Sequence, residues 1–178
     1  MAGRLPALVL MTDDERLADP LTAAAALPKG AMVIVRAREG ARRAELARAM
    51  LALARRRELF VLIADDPALA SRLGADGLHL PQVRSHEAAH WRARHPRWII
   101  STALHSARPR GSFVDLIFLS PVFPTSSHPG RAALGAARAS AMARVLNIPV
   151  YALGGVDARN AASLKNFAGI AAVGALAA

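Results

Sequence analysis

Eight short apolar runs recur along this chain, with helix-forming Ala/Leu/Arg segments between most of them. They fall at residues 7–11, 31–35, 59–64, 77–80, 98–103, 116–120, 149–153 and 169–173. Runs this short and continuous suit strands buried on both faces, and their alternation with helices predicts a parallel sheet. Eight is the number that closes a (β/α)8 barrel. Helices are predicted over 14–27, 41–57, 67–73, 85–95, 136–146 and 158–167. Two connections look reduced. Residues 105–113 contain Pro109 and Gly111 and leave room for about one helical turn. After the segment GIAAVGAL, residues 169–176, that holds the eighth run, only Ala177 and Ala178 remain, so a compact barrel lacking the last helix is expected. It would be smaller than the roughly 250 residues typical of the fold and would expose apolar surface, which a second copy of the chain, as a homodimer, would cover. An open doubly wound sheet would be favoured by a glycine-rich turn after the first strand; MTDDER, residues 11–16, is not one.

Composition narrows the function classes. At 178 residues and 53% apolar content, the expectation is one globular domain over residues 1–178. No apolar run approaches the roughly 18 to 20 uncharged residues of a membrane span, and residues 1–6 lack the h-region of a signal peptide. A cytoplasmic protein with no membrane partner is therefore expected. The absence of cysteine excludes disulfides, thiolate catalysis and Cys-based zinc sites. A net charge of +10 invites a nucleic-acid reading. The distribution opposes it: Arg42, Arg43, Arg48, Arg55, Arg56 and Arg57 lie in one predicted amphipathic helix, and 4% aromatic content offers few stacking platforms.

Chemistry is expected where the strands end. The run at 116–120 stops at Pro121 and opens into a loop rich in Thr, Ser, His and Gly. The segment IPVYALGGV, residues 148–156, delivers Gly154 and Gly155, and GIAAVGAL, residues 169–176, delivers Gly174. Small and hydroxyl residues at successive strand ends suggest a phosphate pocket built from backbone N–H groups, although the same glycines also serve simply to turn the chain.

GADGLHLPQ (residues 74–82), SPVFPTSSH (120–128), IPVYALGGV and GIAAVGAL together resemble the thiamine phosphate synthase superfamily, in order and in separation. The resemblance runs from about Leu8 to the C-terminus and is densest after Leu73. It implies a barrel that joins an aminopyrimidine diphosphate to a thiazole phosphate, diphosphate leaving with help from Mg²⁺ and the thiazole nitrogen capturing the pyrimidinyl cation. Small phosphorylated molecules are thus the implied partners. The superfamily also includes a thiazole phosphate tautomerase, which moves a proton and needs no diphosphate site.

By the same resemblance, Gly154, Gly155, Val173 and Gly174 hold a phosphate through backbone amides, Gly174 standing where the family often has Ser. Thr125 and Ser127 match hydroxyls that contact substrate phosphates, and His128 stands where the family has Lys. Arg36 and Arg38 match two cations on the diphosphate side. Asp65 matches one Mg²⁺ ligand; its other reading is a helix N-cap ahead of Pro67. The second metal carboxylate falls on Arg84, which offers no oxygen ligand, and Asp66 is a candidate substitute. His105 matches the histidine that the tautomerase branch uses as proton shuttle, a task suited to imidazole, or else it only packs or caps a strand end. His79 is read as structural or supporting, and Asp76 as organising the preceding turn. Three readings follow: a synthase using Arg36, Arg38 and Asp65; a tautomerase using His105; and a non-catalytic phosphate-binding paralogue.

Overall fold

A computed structural model describes residues 5–105, 113–125 and 132–173. Its strands are β1 (Leu8–Met11), β2 (Met32–Val35), β3 (Phe60–Ala64), β4 (Gly77–Leu80), β5 (Ile99–Leu104), β6 (Leu116–Leu119), β7 (Val150–Leu153) and β8 (Gly169–Ala172). Each lies on one of the eight apolar runs. They pair in parallel and in chain order, and β8 returns to β1 to close the barrel.

The helices are α1 (Pro20–Ala25), α2 (Gly40–Arg57), α3 (Pro67–Leu73), α4 (Ala88–Arg94) and α5 (Ala136–Val145). Three depart from the sequence expectation. α1 starts at Pro20 rather than residue 14, because the Asp19 carboxylate accepts from Thr22 N–H at 3.0 Å and Pro20 suits a first helical position. A 3-10 turn, Gln82–Glu87, precedes α4. The helix expected over 158–167 is reduced to a single 3-10 turn, Ala161–Ser163. There Asp157 accepts from Asn160 N–H (3.1 Å) while Asn160 Oδ1 accepts from Asp157 N–H (3.0 Å), so side chains take the bonds that a helix would need. The reduced connection at 106–112 and the segment after Val173 lie outside the described residues. No helix among the described residues is long and apolar enough to cross a membrane.

Alternation along the strands divides the core in two. Met11, Met32, Ile34, Leu62, Phe118 and Tyr151 fill the barrel interior. Leu10, Val33, Ile63, Leu80, Ile117 and Leu119 point outward beneath the helices. At the lower rim two carboxylates tie neighbouring strands: Asp76 accepts from Val61 N–H (2.8 Å), and Asp115 accepts from Ile100 N–H (2.7 Å). Tyr151 donates to the buried Pro6 carbonyl at 2.6 Å, pinning the chain ahead of β1 to the barrel floor. Burial pushes the phenol pKa up to about 12. Tyr151→Phe is expected to cost about 1–2 kcal/mol, since it orphans a buried carbonyl, and urea denaturation reads the loss directly.

Candidate active site

At the C-terminal ends of the strands lies a cavity of about 260 Å³ whose walls include Met11, Arg36, Asp65, His79, His105 and Ser120. Arg36 follows β2 and is fixed by Thr12 at the end of β1. Its N–H donates to Thr12 Oγ1 (2.8 Å), and the Thr12 hydroxyl donates to the Arg36 carbonyl (2.7 Å). The guanidinium rests near the Met11 sulfur (3.8 Å) and 4.0 Å from Asp13. Burial lowers its pKa from the ordinary value, the Asp13 carboxylate opposing, but an arginine stays charged.

The two imidazoles have different settings. His79 faces the barrel interior from β4, with Nδ1 2.9 Å from Ser101 Oγ and its ring edge-on to Phe118 at 5.5 Å. Burial, then the charges of Arg36 and His105, push its pKa down to about 3, so it is neutral at physiological pH. His105 stands just past β5. Its Nδ1 donates to the Ser120 carbonyl at 2.9 Å, and its main-chain N–H donates to Gln82 Oε1 at 2.8 Å. A carbonyl partner at Nδ1 puts the lone pair of the neutral ring on Nε2.

A second cavity of about 320 Å³ shares Arg36 and Asp65 and adds the turn after β1. Arg38 stands at its rim: the side chain pairs with Glu15 (2.6 Å), and the main-chain N–H donates to Asp14 Oδ2 (2.8 Å). The two cations named from sequence thus come to one region but differ in role. Arg36 forms a wall between both cavities, whereas Arg38 is 81% exposed at its side chain.

The metal side is built differently from the expectation. Asp65 adopts a left-handed backbone, φ 57°, and its carboxylate is ion-paired with Arg84 Nη1. The other edge of that guanidinium is held in two bonds by Glu87, from Nε (2.6 Å) and Nη2 (2.7 Å). Trp91 Nε1–H donates to the same carboxylate at 3.2 Å. Arg84 holds the Glu87 carboxyl at a pKa of about 2, and Glu87 first and Asp65 next raise that of Arg84. The helix-cap reading of Asp65 belongs instead to its neighbour, because Asp66 Oδ1 accepts from Leu69 N–H (2.9 Å) at the start of α3. Asp66 therefore does not replace a missing ligand.

These residues do not fit Mg²⁺, which takes oxygen ligands in near-octahedral geometry. Among the described residues no group of three or more His, Asp or Glu side chains is arranged to hold a metal ion. The Asp65 carboxylate is already bonded to a guanidinium. A dication about 4 Å from that charge would be repelled by roughly 2 kcal/mol even at the dielectric constant of water.

On the phosphate side, Gly154 (φ 91°) and Gly155 (φ 64°) follow β7 in the left-handed region. They lie directly under the loop after β6: Val122 N–H donates to Leu153 O (3.0 Å) and Phe123 N–H to Gly154 O (2.9 Å). A Cβ on Gly155 would stand 2.4 Å from Pro124 O. The two strand ends singled out in the sequence are therefore neighbours. Thr125 ends the described part of the β6 loop and Val173 follows β8, while Ser127, His128 and Gly174 lie outside the described residues. Sequence reasoning gave no role to Thr12, Gln82, Ser101 or Glu87. Gln82 stood in a quoted motif, but nothing in the others signalled a contact made across strands.

Comparison with known proteins gives the family and the fold. Residues 8–176 match the family described as thiamine monophosphate synthase. A thiamine-phosphate synthase of Methylobacillus flagellatus is 34% identical over 177 residues, 93% of this chain and 82% of that one. A putative thiamine-phosphate synthase 2 of Aquifex aeolicus is 35% identical over 118 residues, 63% of this chain and 62% of its relative. In several of these curated relatives, the matched stretch covers only about three fifths of their length. Among solved structures, a thiamine phosphate pyrophosphorylase from Pyrococcus furiosus superposes with a TM-score of 0.78 at 22% identity, over 98% of this chain and 89% of the other, a likeness of fold. Because the match takes in every strand of the barrel and the strand-end loops around the cavity, the chain belongs to the thiamine monophosphate synthase family.

Proposed function

We propose that this chain is a transferase that couples an aminopyrimidine diphosphate to a thiazole phosphate and releases diphosphate. Family membership supports the reaction class, and the relatives' names favour coupling over tautomerisation. The observation that carries the reading is Arg36: a fastened, half-buried cation that shares one cavity with two imidazoles, at the strand ends where such barrels bind ligands.

In this reading the bond from the pyrimidine methylene to the diphosphate oxygen breaks, and its electron pair leaves with diphosphate. The lone pair of the thiazole nitrogen then forms the new carbon–nitrogen bond. Arg36, with Arg38 at the rim, stabilises negative charge gathering on the leaving group. Neutral His79 adds no repulsion toward the pyrimidinyl cation. Gly154, Gly155 and Val173, with Gly174, hold the thiazole phosphate through backbone N–H groups, and Thr125, Ser127 and His128 are assigned further contacts with substrate phosphate by the family resemblance. His105 lines the same cavity, with its Nδ1 held on the Ser120 carbonyl.

The test is a coupling assay with both substrates, following thiamine phosphate by chromatography in Mg²⁺ and separately in chelator. Product is expected from the unaltered protein. Arg36→Ala is expected to lower kcat/KM at least tenfold, about 1.4 kcal/mol of transition-state stabilisation. A protein that forms no product in either medium would sink the proposal.

A further inference from the structure

We infer that this barrel binds its anionic substrate without a divalent cation, because Arg84, clamped by Glu87, occupies the carboxylate that such a cation would need. The inference deepens the proposed coupling reaction and rests on the cavity being a diphosphate site. Among the described residues lining the 260 Å³ cavity, Asp65 is the one acid. Its side chain is engaged by Arg84 Nη1, which also lies 3.4 Å from the Asp65 carbonyl. Glu87 grips the opposite edge of the guanidinium in two parallel bonds, and Trp91 holds Glu87 in turn. A bidentate carboxylate fixes a guanidinium in position as well as in charge. Arg84 is therefore not a loose surface arginine that a metal ion simply displaces. Its side chain is one-third exposed.

With Asp65 neutralised, the guanidinium left facing the cavity among the described residues is that of Arg36, whose position is set by Thr12 rather than by a carboxylate in close contact. An anion entering here meets the Arg36 guanidinium directly. A planar fork suits phosphate oxygens without an intervening ion.

Two measurements test this with probes that do not depend on turnover. The first is calorimetric binding of inorganic diphosphate, in excess chelator and in Mg²⁺. The dissociation constants are expected to agree within about twofold, and Arg36→Ala should weaken binding in both media. Binding seen only with Mg²⁺ would overturn the inference and leave the coupling reaction standing. The second is a Mn²⁺ titration read by electron paramagnetic resonance. The unaltered protein is expected to take up no Mn²⁺ at submillimolar concentration. Arg84→Asp, which places a second carboxylate beside a released Asp65, should gain one site, and Arg84→Gln should show a weaker one. Stoichiometric Mn²⁺ uptake by the unaltered protein would refute the idea, as would two folded Arg84 variants that both remain blind to the metal. Absence of diphosphate binding in every medium would instead remove the coupling reading, with the Mn²⁺ titration still deciding the role of Arg84.

Discussion

Gly77→Ala is expected to destabilise the barrel by more than about 3 kcal/mol and to leave much of the protein insoluble. The reason is a close approach between two backbones. Gly77 opens β4 and pairs with Ile99 at the start of β5. Ile99 N–H donates to the carbonyl of Asp76 at 2.9 Å, and Asp76 is itself tied to β3 through Val61. These bonds draw the β5 backbone against the glycine. A Cβ there would stand 1.9 Å from Ile99 O and 2.7 Å from Ile99 C. Overpacking against side chains typically costs 1–3 kcal/mol because rotamers yield, but here the obstacle is main chain fixed by ladder bonds. The strain would also reach the site, since β4 carries His79 and leads into Gln82 and Arg84. Thermal melting and soluble yield give the answer. An alanine variant melting within 2 °C of the parent would show that β5 moves aside at little cost.

The barrel was legible because its strands are buried on both faces, so they read as continuous apolar runs and nearly coincide with the eight observed strands. Helix ends were less so. Pro20 and the Asp157–Asn160 knot override the Ala-rich pattern through local side-chain bonds, which a periodicity cannot register. In the site, Arg36, Asp65, His79 and His105, each at or near a strand end, line one cavity. What the sequence hid is pairing between elements. Nothing in the order of residues says that Arg84 reaches across to Asp65, that Glu87 and Trp91 brace it, or that Asp66 rather than Asp65 caps α3. Such contacts depend on the placement of three connections at once. Arg84 was legible as a missing ligand, while its position on the remaining one was not.

Lowering the pH from 7 to 5 is expected to cost the protein about 2 kcal/mol of stability through His79 alone, rising to about 3 kcal/mol at pH 4. The sign follows from the two states. In the unfolded chain this histidine titrates near 6.5, and in the barrel at about 3. Below pH 6.5 the unfolded state therefore binds a proton that the folded state refuses, so its contribution is full above 6.5 and is lost progressively toward pH 3. Burial is the main cause, and the charges of Arg36 and His105 add to it. The window from pH 7 to 5 isolates this group from carboxylates such as Glu87, whose pKa lies near 2. Urea denaturation of the parent and of His79→Asn across that window measures the difference. The variant keeps a polar atom for Ser101 but has nothing to protonate, so its stability should fall less steeply by about one proton's worth of slope. Parallel curves for the two proteins would show that His79 takes up its proton inside the barrel. The cavity would then carry an extra positive charge in mild acid, beside the position where the pyrimidinyl cation is proposed to form.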